Sequence, residues 1–78
     1  LEEKMEELLK LLKKIKPEVN FEGNEHLIDN EELDSFDIVS IVAAINEEFD
    51  IEIGAGDIVP ENFNSIEAIY NLIQRLED

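Results

Sequence analysis

Apolar residues recur at helical spacing through the first segment, where Leu1, Met5, Leu8, Leu9, Leu12 and Ile15 share a face. Glutamates come early in that segment and lysines late, the order that suits the helix dipole. The pattern predicts a first helix that ends at Lys16, because the residue before Pro17 is driven out of the helical region. From Pro17 to Leu33 no period is sustained. That stretch is expected to be a long connection, with Phe21, Leu27 and Ile28 as its anchors into the core.

A second helix is expected from Asp34, a good N-cap, with Asp37 three residues on in a capping-box-like pair, and it should run to about Phe49. Asp50 through Gly56 reads as a turn. Asp57 should start a short helical turn broken near Pro60, and Asn64 with Glu67 should form a capping box for a last helix carrying Ile66, Ile69, Tyr70, Ile73 and Leu76 on one face, where Ser65 also fits a capping role. The fold class is therefore all-α, a four-helix bundle with three long helices and one short third helix, and residues 1–78 should form a single domain.

The second helix holds more apolar residues than one stripe can take. Ile38, Ile41, Val42, Ile45 and Phe49 make a core face, while Phe36, Val39 and Ala43 gather on another side, bordered by Asp37, Ser40, Glu47 and Glu48. Two readings stay open: the 17–33 connection folds over this second stripe, or the stripe stays open as an apolar patch with an acidic rim, suited to a transient protein interface.

Composition narrows the possibilities. With 21 Asp and Glu against 6 Lys and Arg, the net charge is −15, which disfavours nucleic acid as a partner because phosphate binding needs a basic patch. Between Pro17 and Gln74 no side chain is fixed as a cation, so two readings stay open: the field there steers basic protein surfaces, or the acidity merely keeps a small protein soluble. The lack of cysteine excludes disulfides and thiolate chemistry and agrees with a cytoplasmic location. No apolar run approaches the ~20 residues of a membrane span. Residue 1 is Leu rather than Met, so a trimmed or processed N-terminus is expected.

Ser35 is the residue with chemical promise. It falls at the first position of the second helix, where an exposed hydroxyl stands near the positive end of the dipole and a phosphate ester on it would meet free backbone amides. A serine at a helix start is also common for capping alone.

The run Leu33-Asp34-Ser35-Phe36-Asp37-Ile38-Val39-Ser40-Ile41-Val42, followed by Asn46-Glu47-Glu48-Phe49-Asp50-Ile51-Glu52-Ile53, resembles the modification motif and second helix of acyl carrier proteins. The first helix, the long connection and a last helix entered through Phe63-Asn64-Ser65-Ile66 extend the resemblance over nearly the whole chain. It implies that Ser35 carries 4'-phosphopantetheine, that a phosphopantetheinyl transferase installs it from coenzyme A, and that Asp34 helps hold that enzyme's magnesium. It implies further that Phe36, Val39 and Ala43 touch partner enzymes, with Asp37, Glu47 and Glu48 as acidic contacts. The partners would be an acyl- or aminoacyl-activating ligase and downstream acyl-transfer enzymes, served by a monomeric, non-enzymatic carrier of thioesters. Phe36 stands where fatty-acid carriers usually have Leu; with Leu33 and the run from Asp57 to Phe63, it looks closer to stand-alone D-alanyl or peptidyl carriers.

Three rivals are weaker. An enzyme with Ser35 as nucleophile and His26 as base would need a pocket that so small a helical domain hardly offers, and His26 should be a solvated loop residue. A calcium-binding loop fails on ligand spacing both from Asp29 to Ser40 and from Asp50 to Glu61, so no specific metal site is expected. The alternative kept open is an interaction protein with the carrier fold that is never modified.

Overall fold

The computed structural model describes residues 3–77, so Leu1 and Glu2, expected on the first helix, lie outside the described residues. Its order is α1 (Glu3–Ile15), α2 (Ser35–Phe49), a 3₁₀ turn (Ala55–Asp57), α3 (Pro60–Phe63) and α4 (Ile66–Glu77). No strand occurs among the described residues, and the bundle has the expected three long helices and a short third.

Helix α1 places Glu3 and Glu6 in its first turn and Lys13 and Lys14 in its last. It closes at Ile15, one residue short of expectation, although the Lys16 N–H still bonds the Leu12 carbonyl at 2.9 Å. It packs on α2 and α4, and α3 packs on α4. Between them lies one apolar core built from Leu8 and Leu12, Ile41 and Ile45, Phe63, and Ile66, Ile69, Leu72 and Ile73. Leu72 broadens the buried stripe of α4 beyond the expected face, because that helix is covered by α1 on one side and by α3 on the other.

The long connection is tightly ordered. Phe21 and Leu27 are fully buried, Val19 and Leu33 nearly so, and Ile28 is half-buried against the core. Its main chain is held from outside by Asn64, whose carbonyl accepts the Leu27 N–H at 2.9 Å and whose side-chain Oδ1 accepts the N–H groups of Ile28 and Asp29 at 2.9 and 3.1 Å. Inside the loop the Leu27 carbonyl takes bonds from Glu32 and Leu33 at 2.9 and 3.2 Å, and Glu31 adopts a left-handed φ of 59° to close that turn.

Two expectations about the last third are corrected. Pro60 does not break a helical turn begun at Asp57; it opens α3 at the first helical position, where its missing N–H costs nothing and its fixed φ is already helical, while the preceding 3₁₀ turn ends at Asp57. Asn64 does not cap α4. Ser65 does, its Oγ accepting the Ala68 N–H at 3.0 Å, which frees the Asn64 amide to reach across to the loop.

Removing either support should show in urea denaturation. Ile45→Ala deletes a fully buried branch and is expected to cost about 2–5 kcal/mol. Asn64→Ala strips two amides, the part-buried one of Ile28 and the exposed one of Asp29, of their acceptor and should cost about 1–3 kcal/mol.

Candidate functional site

The start of α2 is defined by a reciprocal cap. Asp34 is extended, with φ −101° and ψ −176°, and its Oδ1 accepts the Asp37 N–H at 2.9 Å, while Asp37 Oδ2 accepts the Asp34 N–H at 3.0 Å. The first intrahelical bond into this cap runs from the Ile38 N–H to the Asp34 carbonyl at 3.0 Å. The amides of Ser35 and Phe36 precede it and so point out of the helix end. Ser35 is the first helical residue, exposed, and bracketed by the two capping aspartates.

A cleft of about 310 Å³ begins at Ser35. Its walls come from three separated segments: Ile28 and Leu33 of the long connection, Ile38 and Val39 of α2, and the Ile58–Pro60 stretch with Phe63. Apart from Asp34 and Ser35 at the mouth, the residues lining it are apolar. Its volume is at the small end of ligand-holding cavities, about 300–1,000 Å³.

The second stripe of α2 is open. Phe36 is 84% exposed and Val39 66%, Ala43 is exposed as well, and the long connection packs elsewhere, so it does not fold over them. Glu47 and Glu48 stand exposed near the other end of α2. Asp37 is placed differently from those two: its side chain is half-buried and already bonded within the cap. Ile58, 40% exposed at the cleft, adds an apolar residue that helical periodicity could not have found, because it sits between a 3₁₀ turn and a proline.

Electrostatics favour an ionised Asp37. Its carboxyl is held below the ordinary aspartate range, first by the bond from the Asp34 backbone and then by the Lys16 ammonium 3.2 Å away. Lys16 is raised in turn by its bonds to Glu18 and Asp37. His26 is exposed in the loop beside Asp29, with Nδ1 to Oδ2 at 3.5 Å. Among the described residues no group of three or more His, Asp or Glu side chains is placed to hold a metal ion, and no helix is long and apolar enough to cross a membrane.

The Asp37 shift fixes a pH dependence. A carboxyl whose folded pKa is depressed stabilises fully above its unfolded pKa, near 4, and loses that contribution as pH falls through the folded value. The gap in urea midpoint between wild type and Asp37→Asn should therefore be widest near pH ~7 and close below pH ~4. Comparing the two proteins at each pH cancels the separate effect of protonating the other carboxylates.

Compared with known protein families, residues 1–73 match the phosphopantetheine attachment site family. No curated protein and no solved structure matched the chain in parallel comparisons. The geometry suits the group that this family bears, since an exposed hydroxyl, outward-pointing amides and an apolar cleft meet at one helix start. With the match running from α1 into α4 over this geometry, the chain belongs to the phosphopantetheine attachment site family, whose members covalently carry 4'-phosphopantetheine and act as non-catalytic carriers alongside phosphopantetheinyl transferases and other partner enzymes.

Proposed function

We propose that Ser35 is the attachment residue and that the chain ferries acyl or aminoacyl groups, as thioesters on its 4'-phosphopantetheine arm, between an activating ligase and acyl-transfer enzymes. The observation that carries this reading is the position of Ser35, exposed at the first residue of α2 and at the mouth of the apolar cleft. Ser40 lies in mid-helix, and the Ser65 hydroxyl is engaged in capping α4. The arm supplies a thiol that holds the cargo as a thioester. Residues of the chain do the rest: Ser35 Oγ receives the arm from coenzyme A, Asp34 beside it helps hold the transferase's magnesium, and the apolar cleft offers cover to an apolar part of the load.

Partners are read as docking on Phe36, Val39 and Ala43, with Asp37, Glu47 and Glu48 as the acidic contacts around them. Apolar surface supplies the affinity and the negative rim speeds encounter with basic enzyme surfaces. The whole of 1–78 is taken as one carrier domain, monomeric and cytoplasmic, and a tethered thioester reaches each enzyme at high effective concentration without the carrier catalysing anything.

Incubation with coenzyme A, magnesium and a broad-specificity phosphopantetheinyl transferase is expected to add one arm by intact mass. Ser35→Ala should add none while keeping its helical circular dichroism. A wild type that stays unmodified with several such transferases, or an arm mapping to Ser40 or Ser65, would sink the reading.

The docking face is tested separately. Phe36→Ala should impair loading while shifting the urea midpoint little, because the ring is already exposed. Reversing Glu47 and Glu48 to Lys should slow association, and in the wild type that rate should fall as salt rises, since exposed charges are screened over ~10 Å at 0.1 M. Salt-independent association, or a Phe36→Ala protein that unfolds, would count against the assignment.

A further inference from the structure

The ion pair between Lys16 and Asp37 lies directly behind the capping box. Lys16 follows α1 and its backbone is held on both sides, by the bond of its N–H to the Leu12 carbonyl at 2.9 Å and by its own carbonyl accepting the Val19 N–H at 3.2 Å. Pro17 restricts it further. From this fixed root the side chain, 23% exposed, puts its ammonium 3.1 Å from Glu18 Oε2 and 3.2 Å from Asp37 Oδ2. That Asp37 oxygen is the one that accepts the Asp34 N–H. The lysine and the amide thus converge on a single atom, and the ring closed by Asp34 and Asp37 encloses Ser35.

We propose that Lys16 is a positioning residue for the transfer of phosphopantetheine to Ser35, holding the Asp37 carboxylate in the cap so that the Asp34–Ser35 backbone keeps one geometry. The inference rests on reading Ser35 as the attachment residue. Two carboxylates share the first turn of α2, and without a cation behind it Asp37 gains by rotating toward water, away from Asp34. The Asp34 N–H would then lose its acceptor, and the segment bearing the hydroxyl would sample several orientations. Partly exposed ion pairs add little to global stability. The alignment of a reacting hydroxyl is far more sensitive, because small displacements of a nucleophile are costly in rate. Lys16, shared with Glu18, also offsets part of the Asp37 charge, whereas no ion pair is found for Asp34 among the described residues.

The test compares wild type with Lys16→Met, Lys16→Arg and Glu18→Gln, at a temperature where circular dichroism shows all of them folded. Transfer from coenzyme A is followed at varied carrier concentration, and amide hydrogen exchange is read at Asp34 and Asp37. Lys16→Met is expected to lower kcat about tenfold with the carrier KM within about twofold, and to speed Asp34 amide exchange. Lys16→Arg should restore most of both, and Glu18→Gln should behave as wild type. Unchanged kcat and exchange in Lys16→Met would overturn the proposal. So would a loss confined to KM, which marks a contact with the transferase, or a failure of Arg to rescue. If Lys16→Met does not fold, Lys16→Gln replaces it; if no variant lacking the cation folds, Lys16 is a structural residue and the proposal falls. A wild type that takes no arm defeats the attachment reading itself, an outcome distinct from equal rates in all four proteins.

Discussion

Everything around the start of α2 depends on how the chain satisfies the backbone of its long connection. A segment with so little regular structure exposes N–H and C=O groups that secondary structure would otherwise pair, and leaving them buried and unpaired is costly. Asn64 resolves much of this with one residue, its carbonyl and side chain together binding three successive amides, Leu27, Ile28 and Asp29. Because it stands at the α3–α4 junction, the same contacts tie the loop to the far side of the cleft. Ile28 and Leu33 form one wall and Phe63, next to Asn64 in the chain, part of the other. One wall of the cleft is thus tied to the other by a residue that does not line it.

The sequence spoke clearly where the physics is local. The Asp34–Asp37 pair is a short-range pattern, and the reciprocal cap forms as its spacing implies. The apolar periods of α1, α2 and α4 likewise locate most of the core, since each is a repeated demand for one face. Phe36, Val39 and Ala43 could be singled out as surplus to the core face of α2, but whether they were covered turned on where the loop went. That is a tertiary question, settled where the loop's apolar anchors and its bonds to Asn64 seat it in the core. Asn64 followed three residues later by Glu67 is a valid capping signal, but Ser65, one place on, fits a cap as well, and only the fold shows that Ser65 supplies it. Pro60 is ambiguous in the sequence because proline both ends and begins helices, and only the geometry of the preceding turn tells which. The cleft, the exposure of Ile58 and the Lys16–Asp37 ion pair have no sequence period at all, being meetings of distant segments.

The segregation of charge gains meaning from the fold. No Lys or Arg lies between Pro17 and Gln74, so the first turn of α2 cannot be neutralised from its own neighbourhood. The cation comes from the end of α1, brought alongside by the packing of the two helices. A fold that gathers its lysines in and just after one helix keeps the rest of its surface strongly negative while placing a cation against one of the two carboxylates that cap α2.

On the proposed docking face, the exposed Phe36 bears on time as well as affinity. A phenylalanine side chain left in water forgoes roughly 1.5–3 kcal/mol of burial, free energy that becomes available only when another surface covers it. With Val39 beside it, such a patch is far smaller than the interfaces of long-lived complexes, which bury on the order of 1,600 Å². Contacts of that size dissolve quickly, and differences between related complexes lie mostly in how fast they come apart. On the docking face proposed above, a carrier that must leave one enzyme before meeting the next is better served by a short dwell than by a tight grip, and two exposed side chains on one helix would set that clock.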